Sequence, residues 1–194
     1  MGKAVFIDRD GVINQMVSYN GKFDSPKSAS DVKLVDGVTE VISWLNKKNI
    51  PVVEITNQPG VALGKFDLQT LEDIEKKVHY LLSKKGVKID KVYRCLHHPE
   101  SVVEDLKIIC NCRKPKVGML IQASKDLEIQ LTESILLGDN ATDIEAGKQV
   151  GSKTILFFHP NDIPEKVNIK KNSQPDFIVH SHLEVLQVLK EKFL

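Results

Sequence analysis

Asp8-Arg9-Asp10-Gly11, Thr56-Asn57-Gln58 and Gly138-Asp139-Asn140, with Asp143 just beyond, place carboxylates, a hydroxyl and amides directly behind short apolar runs. In a parallel sheet, ligands bind outside the carboxyl ends of the strands, so residues in this position share a crevice when their strands are neighbours. Asp8, Asp10 and Asp139 would then converge. Three carboxylates at one spot repel unless a cation sits among them, and an open, all-oxygen site suits Mg²⁺. A fourth stretch, Arg113-Lys114-Pro115-Lys116, puts cations ahead of a helix expected to open at Pro115. The macrodipole disfavours cations there, and a bound anion reverses that sign. Together these parts describe phosphoryl transfer through an aspartate. One carboxylate attacks phosphorus, a metal neutralises the approach of anion to anion, and a second carboxylate protonates the leaving alkoxide and then activates water. Lysine and a hydroxyl stabilise the equatorial oxygens. Each aspartate taken singly also suits a turn or a helix cap, so it is their joint placement that carries the reading.

Cys95-Leu96-His97 and, twelve residues later, Cys110-Asn111-Cys112 supply four soft or borderline ligands. That number is enough for a closed tetrahedral Zn²⁺ site, with His98 as the competing imidazole. Buried unligated thiols are the plainer alternative. The last thiol abuts Arg113 and Lys114, so a metal there would hold the loop that presents the basic pair.

These residues need a scaffold. Ala4 to Ile7, Val52 to Ile55, Val92 to Cys95, Ser134 to Leu137, Thr154 to Phe157 and Phe177 to Val179 read as strands. Between them run helical patterns: Val38, Val41, Ile42, Leu45; then Leu68 to Leu82, capped by Asp67 and stopped by Gly86; then Val117 to Leu127; a short one near 141 to 149; and finally Leu183, Leu186, Leu189, Phe193. Regular alternation predicts an α/β protein with a mainly parallel sheet. Residues 11 to 31 and 159 to 175 read as irregular excursions. Trp44, His180 and His182 read as structural. Gly60 to Lys65 falls one residue short of a P-loop and lacks its Ser or Thr.

The four motifs, in this order, resemble those of the haloacid dehalogenase (HAD) superfamily of phosphatases over nearly the whole chain. The resemblance implies a Rossmann-like three-layer fold, a single domain over residues 1–194, no large cap domain and a zinc-loop insertion at about 95–112. It further implies Asp8 as nucleophile, Asp10 as general acid/base, and Thr56 and Lys114 as phosphoryl binders. Mg²⁺ would sit at Asp8, the Asp10 backbone carbonyl and Asp139, with Asp143 behind them. Cys95-x-His97-His98-Pro99 with Cys110-Asn111-Cys112-Arg113-Lys114-Pro115 resembles the zinc loop of the heptose 1,7-bisphosphate 7-phosphatases; histidinol phosphatase domains share it with a shorter middle. That narrower resemblance implies a phosphorylated sugar substrate losing its 7-phosphate, Arg113 on the far phosphate, and Asn57, Gln58 and Asn140 lining the pocket. Val12, Pro59, Leu63 and Asn140 depart from its pattern, with Lys65 a replacement for one missing cation. Hydrolysis of histidinol phosphate or another sugar phosphate is the alternative, and a zinc-stabilised scaffold without turnover is the non-enzymatic one.

Composition agrees with a globular chain. It has 194 residues, 41% of them hydrophobic and 27% charged, and a chain of that length can bury roughly 70% of its unfolded surface without a disulfide staple. Three cysteines cannot close a disulfide framework, so reduced thiols serving a metal are expected. Twenty-seven basic against 26 acidic side chains leave +1, with no basic stripe for nucleic acid. There is no signal segment and no apolar run near the 18 residues of a membrane span. A cytoplasmic monomer acting on a small molecule, with neither nucleic acid nor membrane as partner, is the expectation.

Overall fold

Apolar runs form the strands and amphipathic stretches the helices, in the alternation expected. The computed structural model describes residues 2–159 and 172–193; most of the expected 159–175 excursion lies outside them. In chain order the elements are β1 (Val5–Ile7), β2 (Val17–Tyr19), β3 (Lys22–Asp24), α1 (Val38–Lys47), β4 (Val52–Asn57), α2 (Leu68–Lys84) and β5 (Lys91–Cys95). They continue with α3 (Gly118–Leu127), β6 (Ile135–Gly138), α4 (Ala141–Gln149), β7 (Lys153–Phe157), β8 (Phe177–Val179) and α5 (His182–Lys192).

Six strands pair in the order β5-β4-β1-β6-β7-β8, every neighbouring pair parallel. The chain builds outward from β1 in one direction through β4 and β5, and in the other through β6, β7 and β8. The reversal of strand order therefore falls at β1, where a crevice opens beyond the carboxyl ends of β4, β1 and β6. The register aligns Ile7 with Glu54 on one side and with Leu137 on the other, which brings Asp8, Thr56-Asn57 and Gly138-Asp139 to the same edge.

Side chains alternate across the sheet, as the pleat requires. Val5 and Ile7 enter one core with Val41, Ile42, Leu45, Ile74, Val78 and Leu189, under α1, α2 and α5; Trp44 packs at its margin. Phe6 points the other way and joins Val53, Ile55, Met119, Leu120 and Ala146, under α3 and α4. Helix ends follow local chemistry. The Asp67 carboxylate accepts the Thr70 N–H at 2.8 Å at the start of α2, a cap worth about 1 kcal/mol. Gly86 takes a positive φ beyond its end.

Three details differ from the sequence reading. Residues 11–31 are not wholly irregular: β2 and β3 form an antiparallel hairpin across Asn20-Gly21, both at positive φ, the conformation a type I′ turn demands. Helix α3 begins at Gly118 rather than at Pro115. Residues 113–117 are held as a loop: Asn57 binds the Lys114 backbone, the Asn111 carbonyl accepts the Gly118 N–H at 2.8 Å, and Gly118 lies so close to that carbonyl that a Cβ would stand 2.5 Å from it. In α5 the inward face is His182, Val185 and Leu189, and Leu183 is 76% exposed. His182 packs on the Phe157 ring, in line with a structural role. Among the described residues, no helix is long and apolar enough to cross a membrane.

Candidate active site and thiol cluster

Asp8 leaves β1 with its N–H donating to the Leu137 carbonyl, so β6 sets its direction. Carboxylate oxygens of Asp8, Asp139 and Asp143 lie within 4.8 Å of one another. Two glycines permit this crowding. A Cβ on Gly11, at φ +88°, would stand 2.5 Å from Asp139 Oδ2, and one on Gly138 would stand 2.3 Å from the Asp143 side chain. Asp143, expected behind the site, is a full member of the cluster. Its Oδ2 accepts the Asn140 N–H at 3.0 Å at the mouth of α4.

Lys114 is 3% exposed, and its ammonium reaches Asp8 Oδ1 at 3.0 Å, Asp143 Oδ1 at 2.6 Å and the Ile55 carbonyl at 2.8 Å. Burial alone would lower its pKa, but Asp143 and then Asp8 outweigh burial and hold the ammonium charged. Burial pushes Asp8 up to about 7; Lys114 opposes this, and Asp143 and Asp10 add to it. A buried carboxylate under such pressure fits a divalent cation, whose charge would reverse the balance.

The Asp10 carboxylate lines the same cavity but is held by donors of its own. Arg9 Nε donates to Oδ1 at 3.1 Å and Arg9 Nη2 to Oδ2 at 3.0 Å; Asn14 Nδ2 adds 3.0 Å to Oδ1, and Gln58 Nε2 adds 2.7 Å to Oδ2. Burial works to raise its pKa, but Arg9, Gln58 and Asn14 outweigh it and hold it below the usual carboxylate range. With both oxygens taken by these donors, the Asp10 side chain is not among the carboxylates that gather where a cation could sit.

A cavity of about 470 Å³ lies over these groups, walled by Asp8, Asp10, Thr56, Asn57, Arg113, Lys114, Asp139 and Asn140 among the expected residues. Pro59 and Pro115, named above, and Met16, Ser25 and Thr142, which the sequence did not single out, complete the wall. Two expected pocket residues do other work. Asn57 spends its amide on the Lys114 backbone, Nδ2 to the carbonyl at 3.1 Å and Oδ1 from the N–H at 3.0 Å, which pins the basic loop to β4. Gln58 is 2% exposed and lies beneath the cavity instead of lining it. Arg113 keeps a buried Nη1 that no group among the described residues hydrogen-bonds. Lys65, considered as a replacement cation, is bound by both oxygens of Asp24 at 2.9 and 2.7 Å.

Behind Asp10 stands a charge network that the sequence reading missed. Arg9 is fully buried, with Nη1 3.8 Å from Glu75 Oε1, and Glu75 also pairs with Arg94. Glu54, fully buried in β4, has His79 Nε2 at 3.3 Å. The signal was present: a glutamate inside an apolar strand run has to find a cation.

At the other end of the loop, Cys95, His97, Cys110 and Cys112 bring their ligand atoms within 4.8 Å of one another. The Sγ atoms are 3.1 to 3.5 Å apart and His97 Nδ1 is 3.3 Å from Cys112 Sγ. A tetrahedron with Zn–S bonds of about 2.3 Å has edges of about 3.8 Å, so a small outward movement would seat the ion. His97 is the imidazole of the cluster; His98 Nδ1 instead accepts the Glu100 N–H at 3.1 Å. Burial opposes ionisation of Cys110, yet Cys112 and the Arg113 N–H bring its thiol down to about 6. This three-thiol, one-imidazole cluster suits zinc.

The profile of the HAD-hydrolase-like family matches residues 111–185. The chain is 33% identical over 189 residues to the D-glycero-beta-D-manno-heptose-1,7-bisphosphate 7-phosphatase of Photorhabdus laumondii, covering 96% of this chain and 95% of that one. It is 32% identical to the Escherichia coli K12 enzyme of that name, covering 97% and 94%. Its fold matches the crystal structure of D,D-heptose 1,7-bisphosphate phosphatase from B. bronchiseptica, complexed with magnesium and phosphate, with a TM-score of 0.78, 28% identity, and coverage of 97% and 99%. With about a third of its residues shared along almost its entire length, and a parallel sheet carrying the aspartate, threonine and lysine motifs at one edge, the chain belongs to the HAD-like phosphatases of the heptose 1,7-bisphosphate 7-phosphatase family.

Proposed function

We propose that this phosphatase removes the 7-phosphate of D-glycero-D-manno-heptose 1,7-bisphosphate, with Asp8 as nucleophile. The observation that carries the reading is the buried Lys114 ammonium bridging Asp8 and Asp143 at the floor of a cavity whose wall holds Arg113. Asp8 attacks phosphorus and forms an aspartyl phosphate as the P–O bond to the sugar breaks. Lys114 and the Thr56 hydroxyl take up charge on the equatorial oxygens. Asp10 protonates the departing sugar oxygen; the negative charge arriving with the phosphate favours the protonated carboxyl needed for this. The same carboxylate then draws a proton from water, which attacks the aspartyl phosphate and returns Asp8 and inorganic phosphate.

Asp8, Asp139, the Asp10 carbonyl and Asp143 are the groups that would hold Mg²⁺, which would supply charge neutralisation as the anionic phosphate meets the anionic nucleophile. The cavity stands open, without a large cap, so the far end of the substrate meets the thiol loop. There Arg113 Nη1, which no group among the described residues hydrogen-bonds, suits the second phosphate. A zinc-bound Cys95, His97, Cys110 and Cys112 would hold Arg113 and Lys114 at their distance from β4.

The test is competitive turnover of heptose 1,7-bisphosphate, histidinol phosphate and simple sugar monophosphates, with Asp8→Asn as the inactive control. The bisphosphate should lead by at least about tenfold in kcat/KM, the worth of one charge-assisted hydrogen bond to the far phosphate. Histidinol phosphate leading instead would reassign the substrate, and an active Asp8→Asn would remove the nucleophile.

A further inference from the structure

Gln58 is 2% exposed, does not line the cavity over Asp8 and yet spends every hydrogen-bonding group of its amide on the residues around the reaction site. Its Oε1 accepts Arg9 Nη2 at 2.7 Å, while its Nε2 stands 2.7 Å from Asp10 Oδ2 and 2.8 Å from Thr56 Oγ1. A guanidinium can only donate, so the amide has one allowed orientation: oxygen toward Arg9, NH₂ toward the other two. Asp10 then receives one of its protons. Thr56 receives the second, which makes Thr56 the acceptor and leaves its own hydroxyl proton to be donated elsewhere. Among the described residues nothing accepts that proton, and Thr56 lines the cavity beside Asp8.

The chain of constraint begins further back. Arg9 is fully buried and braced by Glu75, which is itself paired with Arg94 on β5. A forked guanidinium on both oxygens of Asp10 fixes the plane of that carboxylate, and Gln58 completes the fork. From these contacts we infer that Gln58 is a positioning residue for phosphoryl transfer, which locks the Asp10 carboxylate and turns the Thr56 hydroxyl proton toward the phosphoryl oxygens. The inference rests on the roles given above to Asp8, Asp10 and Thr56, and extends them to a residue that never meets substrate.

The experiment compares Gln58→Leu, which removes the whole amide, with Gln58→Glu, which keeps the volume and the acceptor facing Arg9 but loses both donors. Kinetics are measured on an alkyl sugar phosphate and on 4-nitrophenyl phosphate, whose leaving group departs without a proton. Both variants should lose about 10²-fold in kcat on the sugar phosphate, with KM within about threefold, as expected for misplacement of reacting groups. On 4-nitrophenyl phosphate the loss should be about tenfold smaller, because the acid there has little to do. Thr56→Val added to Gln58→Leu should cost less than the product of the two single effects, since both remove one shared hydrogen bond. Equal losses on the two substrates, a change confined to KM, or fully multiplicative behaviour with Thr56→Val would overturn the positioning role. Asp8→Asn separates the two levels: if it remains active, the underlying mechanism fails; if it is silent while the Gln58 variants match the parent, only the positioning role falls.

Discussion

The Lys114 ammonium lies 3.0 Å from Asp8 Oδ1, although 105 residues separate the two and one stands on a strand end while the other comes from an irregular loop. The contact depends on Asn57, whose amide grips the Lys114 backbone from both sides and anchors the loop on β4. Lys114→Met should therefore cost about 10²- to 10³-fold in kcat, the scale of removing one charge stabiliser from a buried site. It should also destabilise the fold by about 3 kcal/mol, because Asp8 and Asp143 are left facing one another without a cation. Parallel kinetics and urea unfolding without Mg²⁺ check both halves; a fully stable, inactive variant would show that the pairing has no structural share.

Asp8 carries a pH signature. Its carboxyl is ordinarily near 3.8 and is raised to about 7 in the fold by burial, against Lys114. The folded state thus binds a proton more tightly than the unfolded state. That contribution to stability is full below 3.8 and is lost as pH rises through 7. In Mg²⁺-free buffer, Asp8→Asn should abolish phosphate release and should gain in melting temperature on the parent as pH goes from 5 to 8. A melting difference that stays flat across this range would refute the burial argument.

Removing zinc should cost stability and substrate binding before it alters chemistry. One equivalent of metal should co-purify with the thiols, and Cys112→Ser should lower both that stoichiometry and the melting temperature. Because Arg113 follows Cys112 directly and its N–H lies 3.4 Å from Cys110 Sγ, the kinetic loss should fall first on KM for the sugar substrate. Metal analysis with steady-state kinetics tests this, and a variant altered in kcat alone would contradict it.

Arg113 should discriminate between substrates. Its buried Nη1 has no hydrogen-bond partner among the described residues, which is costly until an anion meets it. Arg113→Ala should raise KM for a bisphosphorylated sugar about 10- to 100-fold and leave the corresponding monophosphate within about threefold, on the worth of a hydrogen bond to a charged group. Equal effects on both would place the residue in the loop's structure and not in recognition.

Much of this was legible in the residues themselves. Apolar runs ending in Asp8, Thr56 and Asp139 announced parallel strands and a shared crevice, because a strand's periodicity and its terminal polar residue are both local properties. The thiols and imidazole announced a metal for the same reason: ligand type and count need no tertiary information. The Asn20-Gly21 hairpin was an equally local signal, a turn pair whose positive φ values only such residues adopt readily, although residues 11–31 as a whole read as irregular.

What the tertiary structure decided is where each polar side chain spends its hydrogen bonds. Asn57 and Gln58 sit side by side at the end of β4, and by type either could face a substrate. Asn57 is committed to Lys114, 57 residues away, and Gln58 to Arg9 and Asp10, 49 and 48 residues away. His97 rather than His98 meets the thiols, and Asp143 joins the carboxylate cluster, for the same reason. Residue type limits what a side chain can do, but a buried donor or acceptor must be satisfied by whatever the packed chain brings near it, and that is settled only when distant segments meet.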